Sequence, residues 1–228
     1  MGHIYDIVFS PGSGLSHVFL STHGKFGMNT EAGGSRKCKA VFLDRDGVIN
    51  RKLPENNYVK SYQEFELLPG VRTAMSIFSR LGYLLVVVTN QRGIARGLMD
   101  EDSLNCVHDY MKRQLLEHGI VLDGVYHCPH DRDEGCNCRK PQPGMILEAC
   151  RHFDIDLDQS YLVGDSDSDM AAALNAGVRA IRISTNNDVN AYLTFQSLLD
   201  FAHHLQEVER QLDKTSHGDS NEQSRRSE

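Results

Sequence analysis

Short, continuous apolar runs recur along the chain and predict strands that are buried on both faces. The clearest is Ala40-Val41-Phe42-Leu43, and the run from Leu84 to Val88 has the same character. Each run is too short for a helix and is bounded by polar residues or glycine. The predicted strands are residues 40–43, 83–88, 121–126, 161–164 and 179–183.

Between these runs, apolar residues are spaced three or four positions apart, which predicts helices. Val71, Ala74, Met75 and Phe78 illustrate the spacing. The predicted helices are 70–81, 100–118, 143–153, 166–176 and 197–212. Strands that alternate with helices imply right-handed crossovers and a parallel sheet. We therefore predict an α/β fold: a three-layer, Rossmann-like parallel sheet with helices on both faces.

The two ends of the chain lack this patterning. Residues 1–36 hold seven of the 19 glycines and no sustained periodicity, so they predict a flexible extension, with Met28 as a candidate start. Residues 213–228 are polar and predict a disordered tail. Residues 37–212 then form one domain, which suits a chain of this size.

Composition and charge argue against two classes of binding partner, nucleic acids and membranes. The formal net charge of -7 argues against electrostatic capture of nucleic acid. No apolar run approaches the roughly 20 residues that span a bilayer, and the N-terminus is a poor secretory signal. We expect a cytoplasmic monomer that binds neither nucleic acid nor membrane.

Polar residues follow the predicted strands, at the ends where ligands bind in parallel sheets. The first strand runs into Asp44-Arg45-Asp46-Gly47, in which one carboxylate suits a nucleophile and the other a proton shuttle. A solvated Asp-Gly turn explains this motif about equally well. The later acids Asp165 and Asp169 suit a magnesium ligand and a supporting group, although acids also favour the first turn of a helix.

Neutral and basic groups follow two other strand ends. Thr89, Asn90 and Gln91 can donate hydrogen bonds to phosphate oxygens, and Arg92 adds a cation. Lys140 can neutralise a transferring phosphoryl group, while Arg139 can grip a second phosphate or a sugar hydroxyl. Helix capping and a basic surface loop are the simpler explanations for each motif taken alone.

Taken in order, these motifs resemble the four-part signature of the haloacid dehalogenase (HAD) superfamily of phosphohydrolases. The matching residues are Asp44 and Asp46, Thr89, Lys140, and Asp165 with Asp169. The resemblance implies Asp44 as nucleophile, Asp46 as acid and base, and Mg²⁺ held by Asp44, Asp165 and the Asp46 carbonyl. Only about 20 residues separate Asp46 from the first predicted helix, so we expect a capless form.

A second group of ligand-type residues is Cys128, His130, Cys136 and Cys138, within eleven residues. Three thiolates and an imidazole complete a closed tetrahedral site, which predicts a structural Zn²⁺. His127 is the alternative to His130. The site ends one residue before Arg139 and Lys140, so the metal would stiffen the loop that aims them.

The zinc motif together with the segment Thr89-Asn90-Gln91-Arg92-Gly93-Ile94-Ala95-Arg96-Gly97 is similar to the heptose-bisphosphate phosphatases and the related histidinol-phosphate phosphatases. This resemblance implies a small phosphorylated sugar as substrate, namely heptose 1,7-bisphosphate, and places Asn57 and Tyr58 in the substrate loop. Two departures touch that region: a longer loop between Asn50 and Tyr58, and Ser166 where some members have lysine. The alternatives are another small phosphomonoester, phosphate transfer to an acceptor sugar, and a catalytically inactive zinc-binding interaction module.

Overall fold

The computed structural model describes residues 37–185 and 190–223, with side chains as far as 214. The predicted extension 1–36 lies outside the described residues. In chain order the elements are β1 Lys39–Leu43, α1 Val71–Arg80, β2 Tyr83–Asn90, α2 Glu101–Leu116, β3 Gly124–Cys128, α3 Gly144–Phe153, β4 Tyr161–Gly164, α4 Asp167–Ala176, β5 Arg179–Ile183, β6 Leu193–Phe195 and α5 Leu198–Gln223.

The six strands form one sheet in the order β3-β2-β1-β4-β5-β6, and every neighbouring pair is parallel. The predicted parallel sheet is therefore confirmed. Leu43, the last residue of β1, pairs with Val87 of β2 and Val163 of β4. Because this register aligns the carboxyl ends of the three central strands, the residues that follow them meet at one edge of the sheet.

The side chains of alternate strand residues pack into two hydrophobic cores, one on each face of the sheet. Each core is covered by helices, which confirms the predicted helices on both faces. Val41, Leu43 and Val163 pack with residues of α1, α2 and α5, such as Phe78, Met111 and Phe201. Phe42 and Val88 pack on the other face with residues of α3 and α4, such as Met145 and Met170. Strands buried on both faces account for the continuous apolar runs in the sequence.

The main differences between the structure and the sequence prediction are the bounds of β2, β3 and α5 and one additional strand. β2 continues through Asn90, and β3 begins at Gly124, because Val121 and Leu122 precede it as loop and Val121 is mostly exposed. The three-residue strand β6 was not predicted, because so short a run carries no recognisable periodicity. Helix α5 continues to Gln223, so the predicted tail is helical as far as that residue.

Between β1 and α1 the chain forms loops held to one another by single bridges, including Asn50 with Leu67. Across residues 37–185 and 190–214, no second folded unit is inserted among these elements, as expected for a capless form. No helix within the described residues is long and apolar enough to cross a membrane.

Candidate active site

Asp44 lies immediately after β1 and is fixed by its main-chain N–H, which donates to the carbonyl of Val163 at 2.9 Å. The residue is 8% exposed, and its Oδ1 lies 2.7 Å from Lys140 Nζ. Burial raises the pKa of Asp44 to about 7, and Asp169 and Asp46 add to the rise while Lys140 opposes it. A carboxylate that is poorly solvated and held in place is suited to attack an electrophile.

Lys140 lies almost completely buried beneath this carboxylate. Its ammonium contacts Asp44 Oδ1 at 2.7 Å, Asp169 Oδ1 at 2.6 Å and the carbonyl of Val88 at 2.8 Å. Burial disfavours the charged form, but Asp169 and Asp44 outweigh it and hold the pKa of Lys140 above its usual range. The lysine therefore stays a fixed positive charge between two acids.

Asp46 is oriented by groups on three sides. Arg45 Nη2 donates to both of its oxygens at 2.9 and 3.0 Å, Asn50 Nδ2 donates at 2.9 Å, and Gln91 Nε2 donates at 3.0 Å. Burial favours the neutral acid, but Arg45 and the two amide donors outweigh it and hold the pKa of Asp46 below its usual range. Asp46 is therefore a carboxylate ready to accept a proton.

Asp165 follows β4 and faces Asp44. Asp44, Asp165 and Asp169 each offer an oxygen, and these atoms lie within 4.8 Å of one another. Asp165 Oδ2 contacts Lys52 Nζ at 2.6 Å, while Oδ1 is buried without a hydrogen-bond partner among the described residues. Carboxylates grouped this closely, with one buried oxygen unpaired, fit a hard divalent cation such as Mg²⁺.

Asp169 has a double role within the protein. Its Oδ2 accepts hydrogen bonds from the N–H and hydroxyl of Ser166, which caps α4, and its Oδ1 binds Lys140. Since both oxygens are engaged by protein groups, Asp169 is better placed to position Lys140 than to hold a metal, in line with the supporting role expected from the sequence.

The predicted phosphate-binding residues after β2 separate into two groups. Thr89 and Asn90 line the cavity above Asp44, and the Asn90 side chain also makes two 3.0 Å hydrogen bonds with the main chain of Lys140. Gln91 is buried outside the cavity lining and donates to Asp46 and Thr89. The predicted role of Gln91 in substrate binding is therefore corrected: Gln91 orients the Asp46 carboxylate and does not line the cavity.

Arg92 lines the cavity but is also held by three neighbours. Its guanidinium donates to Tyr58 Oη at 3.0 Å and Asn56 Oδ1 at 3.4 Å, and it lies 3.8 Å from Asp131. Arg96 joins the same two loops through Asn56 and Asp131. These contacts tie the loop after β1, the loop after β2 and the loop after β3 together over the site.

The cavity bounded by these loops has a volume of about 240 Å³. Asp44, Asp46 and Asp165 line it, as do Asn57 and Tyr58 of the expected substrate loop. Arg139 lines it too, with Nη1 donating to the carbonyl of His130 at 3.1 Å. The acids, the neutral donors and the basic residues predicted from separate motifs therefore surround one space large enough for a small phosphorylated metabolite.

Beside this cavity, the four zinc-type residues lie together. Cys128 Sγ is 3.2 Å from Cys138 Sγ, 3.7 Å from Cys136 Sγ and 3.5 Å from His130 Nδ1. Sulfur atoms about 2.3 Å from a tetrahedral zinc lie roughly 3.8 Å apart, so these spacings fit one ion. His127 instead contacts Glu101 at 2.9 Å, which places the alternative ligand outside the group.

Comparison with known proteins identifies the family. A model of HAD-hydrolase-like proteins matches residues 137–207. The D-glycero-β-D-manno-heptose 1,7-bisphosphate 7-phosphatase of Photorhabdus laumondii is 42% identical over 175 residues, which cover 71% of this chain and 92% of that protein. The chain belongs to the HAD-like phosphatase family. This membership makes it a phosphomonoester hydrolase.

Two further members of the family bear on its chemistry. The D-glycero-α-D-manno-heptose 1,7-bisphosphate 7-phosphatase of Campylobacter jejuni is 45% identical over 142 residues, covering 62% of this chain and 80% of that one. The crystal structure of the D,D-heptose 1,7-bisphosphate phosphatase of B. bronchiseptica, complexed with magnesium and phosphate, has a TM-score of 0.68 and 37% identity. It covers 74% of this chain and 98% of that one.

One structural feature of this HAD-like phosphatase escaped the sequence analysis. Arg45, between the two acids, is completely buried and contacts Asp46, Gln91 and His108. Burial and the charge of Arg45 lower the pKa of His108 to about 3, so its neutral Nε2 can accept from Arg45 Nη1 at 3.2 Å. The position of Arg45 between two candidate acids was the one hint in the sequence that this residue belongs to the site. The sequence could not show that Arg45 is buried, because its burial depends on how α2 packs.

Gly47 provides a test of the site geometry. It adopts φ +99°, and a Cβ there would collide with the Asp165 carboxylate. We expect Gly47→Ala to displace Asp165 and lower kcat/KM on the order of 10²-fold, because sub-ångström placement matters. The matched control is Gly82→Ala, at φ +80° with no atom within 4 Å. Both should lose about 1–2 kcal/mol of stability from the left-handed backbone, and equal activities would contradict the assignment.

Proposed function

We propose that the protein removes the 7-phosphate of D-glycero-D-manno-heptose 1,7-bisphosphate in a Mg²⁺-dependent reaction through an aspartyl-phosphate on Asp44. The observation that carries the proposal is the buried Asp44 carboxylate, paired at 2.7 Å with Lys140 and within 4.8 Å of an Asp165 oxygen. The relatives named for this activity are 40–45% identical, which supports the choice of substrate.

In the first step, an Asp44 oxygen attacks the phosphorus of the bound ester, and the bond from phosphorus to the sugar oxygen breaks. Asp46 gives a proton to the departing oxygen. Burial and the adjacent phosphate charge favour protonation of Asp46 once substrate is bound, although Arg45 disfavours it in the free protein. Lys140 neutralises Asp44 and the equatorial phosphate oxygens, and Thr89, which lines the cavity, donates a hydrogen bond to them.

In the second step, Asp46 takes a proton from water as the water oxygen attacks phosphorus. The bond from phosphorus to the Asp44 oxygen breaks, which releases inorganic phosphate and regenerates the Asp44 carboxylate. The low pKa that Arg45 imposes on Asp46 suits this role, because it keeps the carboxylate ionised until the water is in place. Magnesium held by Asp44, Asp165 and the Asp46 carbonyl would supply the positive charge that offsets the repulsion between phosphate and carboxylate.

We also propose that Cys128, His130, Cys136 and Cys138 hold a structural Zn²⁺. The closeness of their four donor atoms and the use of His127 elsewhere support this set. Four protein ligands leave no position for substrate, so the ion would act on the loop and not on the reaction. Its effect would be to fix Arg139 and Lys140, which directly follow Cys138 in the chain.

A phosphate-release panel tests the substrate. We expect kcat/KM for heptose 1,7-bisphosphate to exceed that for histidinol phosphate and fructose 1,6-bisphosphate by about 10²-fold or more. Histidinol phosphate lacks a second phosphate for Arg139, and fructose 1,6-bisphosphate presents its hydroxyl groups differently, so each leaves polar groups of the site unpaired. Both anomers should be included, since relatives named for each are similar to this chain. Faster release from histidinol phosphate would contradict the proposal, and transfer of phosphate to a sugar acceptor would indicate a transferase.

A further inference from the structure

Arg132 is a basic residue of the site that no motif assigned. It lies on the loop between His130 and Cys136 and lines the cavity above Asp44. It also lines the adjacent cavity of about 440 Å³, together with Arg139 and Lys140. Arg132 is therefore at the boundary between the space over the nucleophile and the space beside it.

The main chain at Arg132 is held firmly by its own loop. Arg132 N–H donates to Asp131 Oδ1 at 2.7 Å, and Asp131 N–H donates to Glu134 Oε1 at 2.7 Å. The Asp131 carboxylate also binds Arg96 at 3.0 Å. These contacts and the neighbouring Cys/His group hold the main chain of the loop, while the Arg132 side chain itself is exposed to the solvent-filled cavities.

The Arg132 guanidinium itself has no acid or acceptor within bonding distance among the described residues. The other cations of the cavity are engaged: Lys140 by Asp44 and Asp169, Lys52 by Asp165, and Arg92 by its three neighbours. Within the described part of the chain, Arg139 has no ion pair, and its side-chain hydrogen bond is to a carbonyl. Arg132 and Arg139 thus supply positive charge that no acid of the described residues neutralises.

The acids nearby do not compete for this charge. Asp131 lines the adjacent cavity but is paired with Arg96 and Arg92. Glu55 lines the cavity above Asp44 and not the adjacent one, so a phosphate is repelled from the side of Glu55 and drawn toward the side shared by the two arginines. Two planar guanidinium groups can each bind phosphate oxygens in a bidentate manner.

We infer that Arg132, together with Arg139, binds the second phosphate of a bisphosphorylated sugar, the one the reaction leaves in place, and so selects bisphosphates over monophosphates. This inference rests on the proposed function and assigns a specificity-determining role to the loop of the zinc-type residues. Arg132 touches the phosphate distant from Asp44, so it contributes to substrate selection and not to bond cleavage.

The test compares the natural chain with Arg132→Met, Arg132→Lys and the control Arg151→Met, an exposed arginine of α3 outside both cavities. The readout is the ratio of kcat/KM for heptose 1,7-bisphosphate to that for heptose 7-phosphate. We expect Arg132→Met to lower this ratio at least about 10-fold, as removal of a charged hydrogen-bond partner does. Turnover of the monophosphate should change less than threefold, and Arg132→Lys should recover part of the ratio.

A binding experiment separates failure of this inference from failure of the proposed function. Both sugars are titrated calorimetrically into Asp44→Asn and into the Asp44→Asn/Arg132→Met double variant, with Mg²⁺ present. A tenfold loss of affinity confined to the bisphosphate supports the inference even if the natural chain proves to release no phosphate. Equal loss for both sugars, no loss, or no preference for the bisphosphate before substitution would overturn it.

Discussion

Asp44→Asn is expected to lower kcat by about 10⁴-fold or more, because the amide cannot form the covalent intermediate that the mechanism requires. The measurement is phosphate release from heptose 1,7-bisphosphate at saturating Mg²⁺. Folding should be preserved, since an asparagine of the same shape can still accept from Lys140 Nζ through its carbonyl oxygen. Activity within tenfold of the natural chain would remove Asp44 as the nucleophile.

The same variant has a second readout in pH-dependent stability without added Mg²⁺. The pKa of Asp44 is raised from 3.8 to about 7 in the folded protein, so the folded state binds the proton more tightly than the unfolded state. This contribution to stability is complete below about pH 4 and is lost as pH rises toward 7. Asp44→Asn removes it, so denaturant unfolding of the variant should depend less steeply on pH in that window.

Loss of the proposed zinc ion is expected to have the largest effect on stability. Cys138→Ser removes one of four ligands, and structural zinc sites contribute on the order of 10 kcal/mol where metal and fold are coupled. The sheet has its own hydrophobic core, so the protein does not depend on zinc alone to fold. We therefore expect Cys138→Ser to lower the free energy of unfolding by a smaller amount, on the order of several kcal/mol. We expect about one zinc per natural chain and much less per variant by elemental analysis, with a lower unfolding midpoint and lower activity.

The control for this substitution is Cys106→Ser, a free, exposed cysteine on α2 away from the Cys/His group. It should keep the zinc content, the unfolding midpoint and kcat/KM of the natural chain. Activity should fall with zinc loss because Lys140 lies two residues beyond Cys138 and must reach Asp44. A Cys138→Ser protein with full activity and an unchanged midpoint would contradict a structural metal.

The central elements of the fold could be predicted because their signals are local. β1 and β4 are continuous apolar runs, and α1 has four apolar residues on one face, so burial is visible in the sequence without any partner. β6 has three residues and depends on pairing with β5. β3 begins at Gly124 because that residue pairs with Val86 of β2. This pairing cannot be predicted from residues 121–126 alone.

The site could be predicted in its residue types but not in its contacts. The order of the acids, Thr89 and Lys140 along the chain indicated which residues would meet, since parallel strands bring their carboxyl ends together. The order of residues along the chain did not show that two adjacent residues would have different roles. Asn90 pins the Lys140 main chain and Gln91 orients Asp46, although both are amides in one short segment.

By itself, the sequence determined the parallel sheet, the acids at its edge and the three cysteines of the Cys/His group, because strand burial and ligand spacing are properties of local segments. The choice of His130 over His127 came from the structure, in which His127 contacts Glu101. Tertiary structure alone decided that Arg45 is buried against Asp46 and that Asp131 and Arg96 tie two loops together. It also decided that Arg132 lines the cavity without an acid partner in the described part of the chain. The physical reason is that charge pairing and exposure depend on which distant groups arrive within a few ångströms, and chain order does not record that distance.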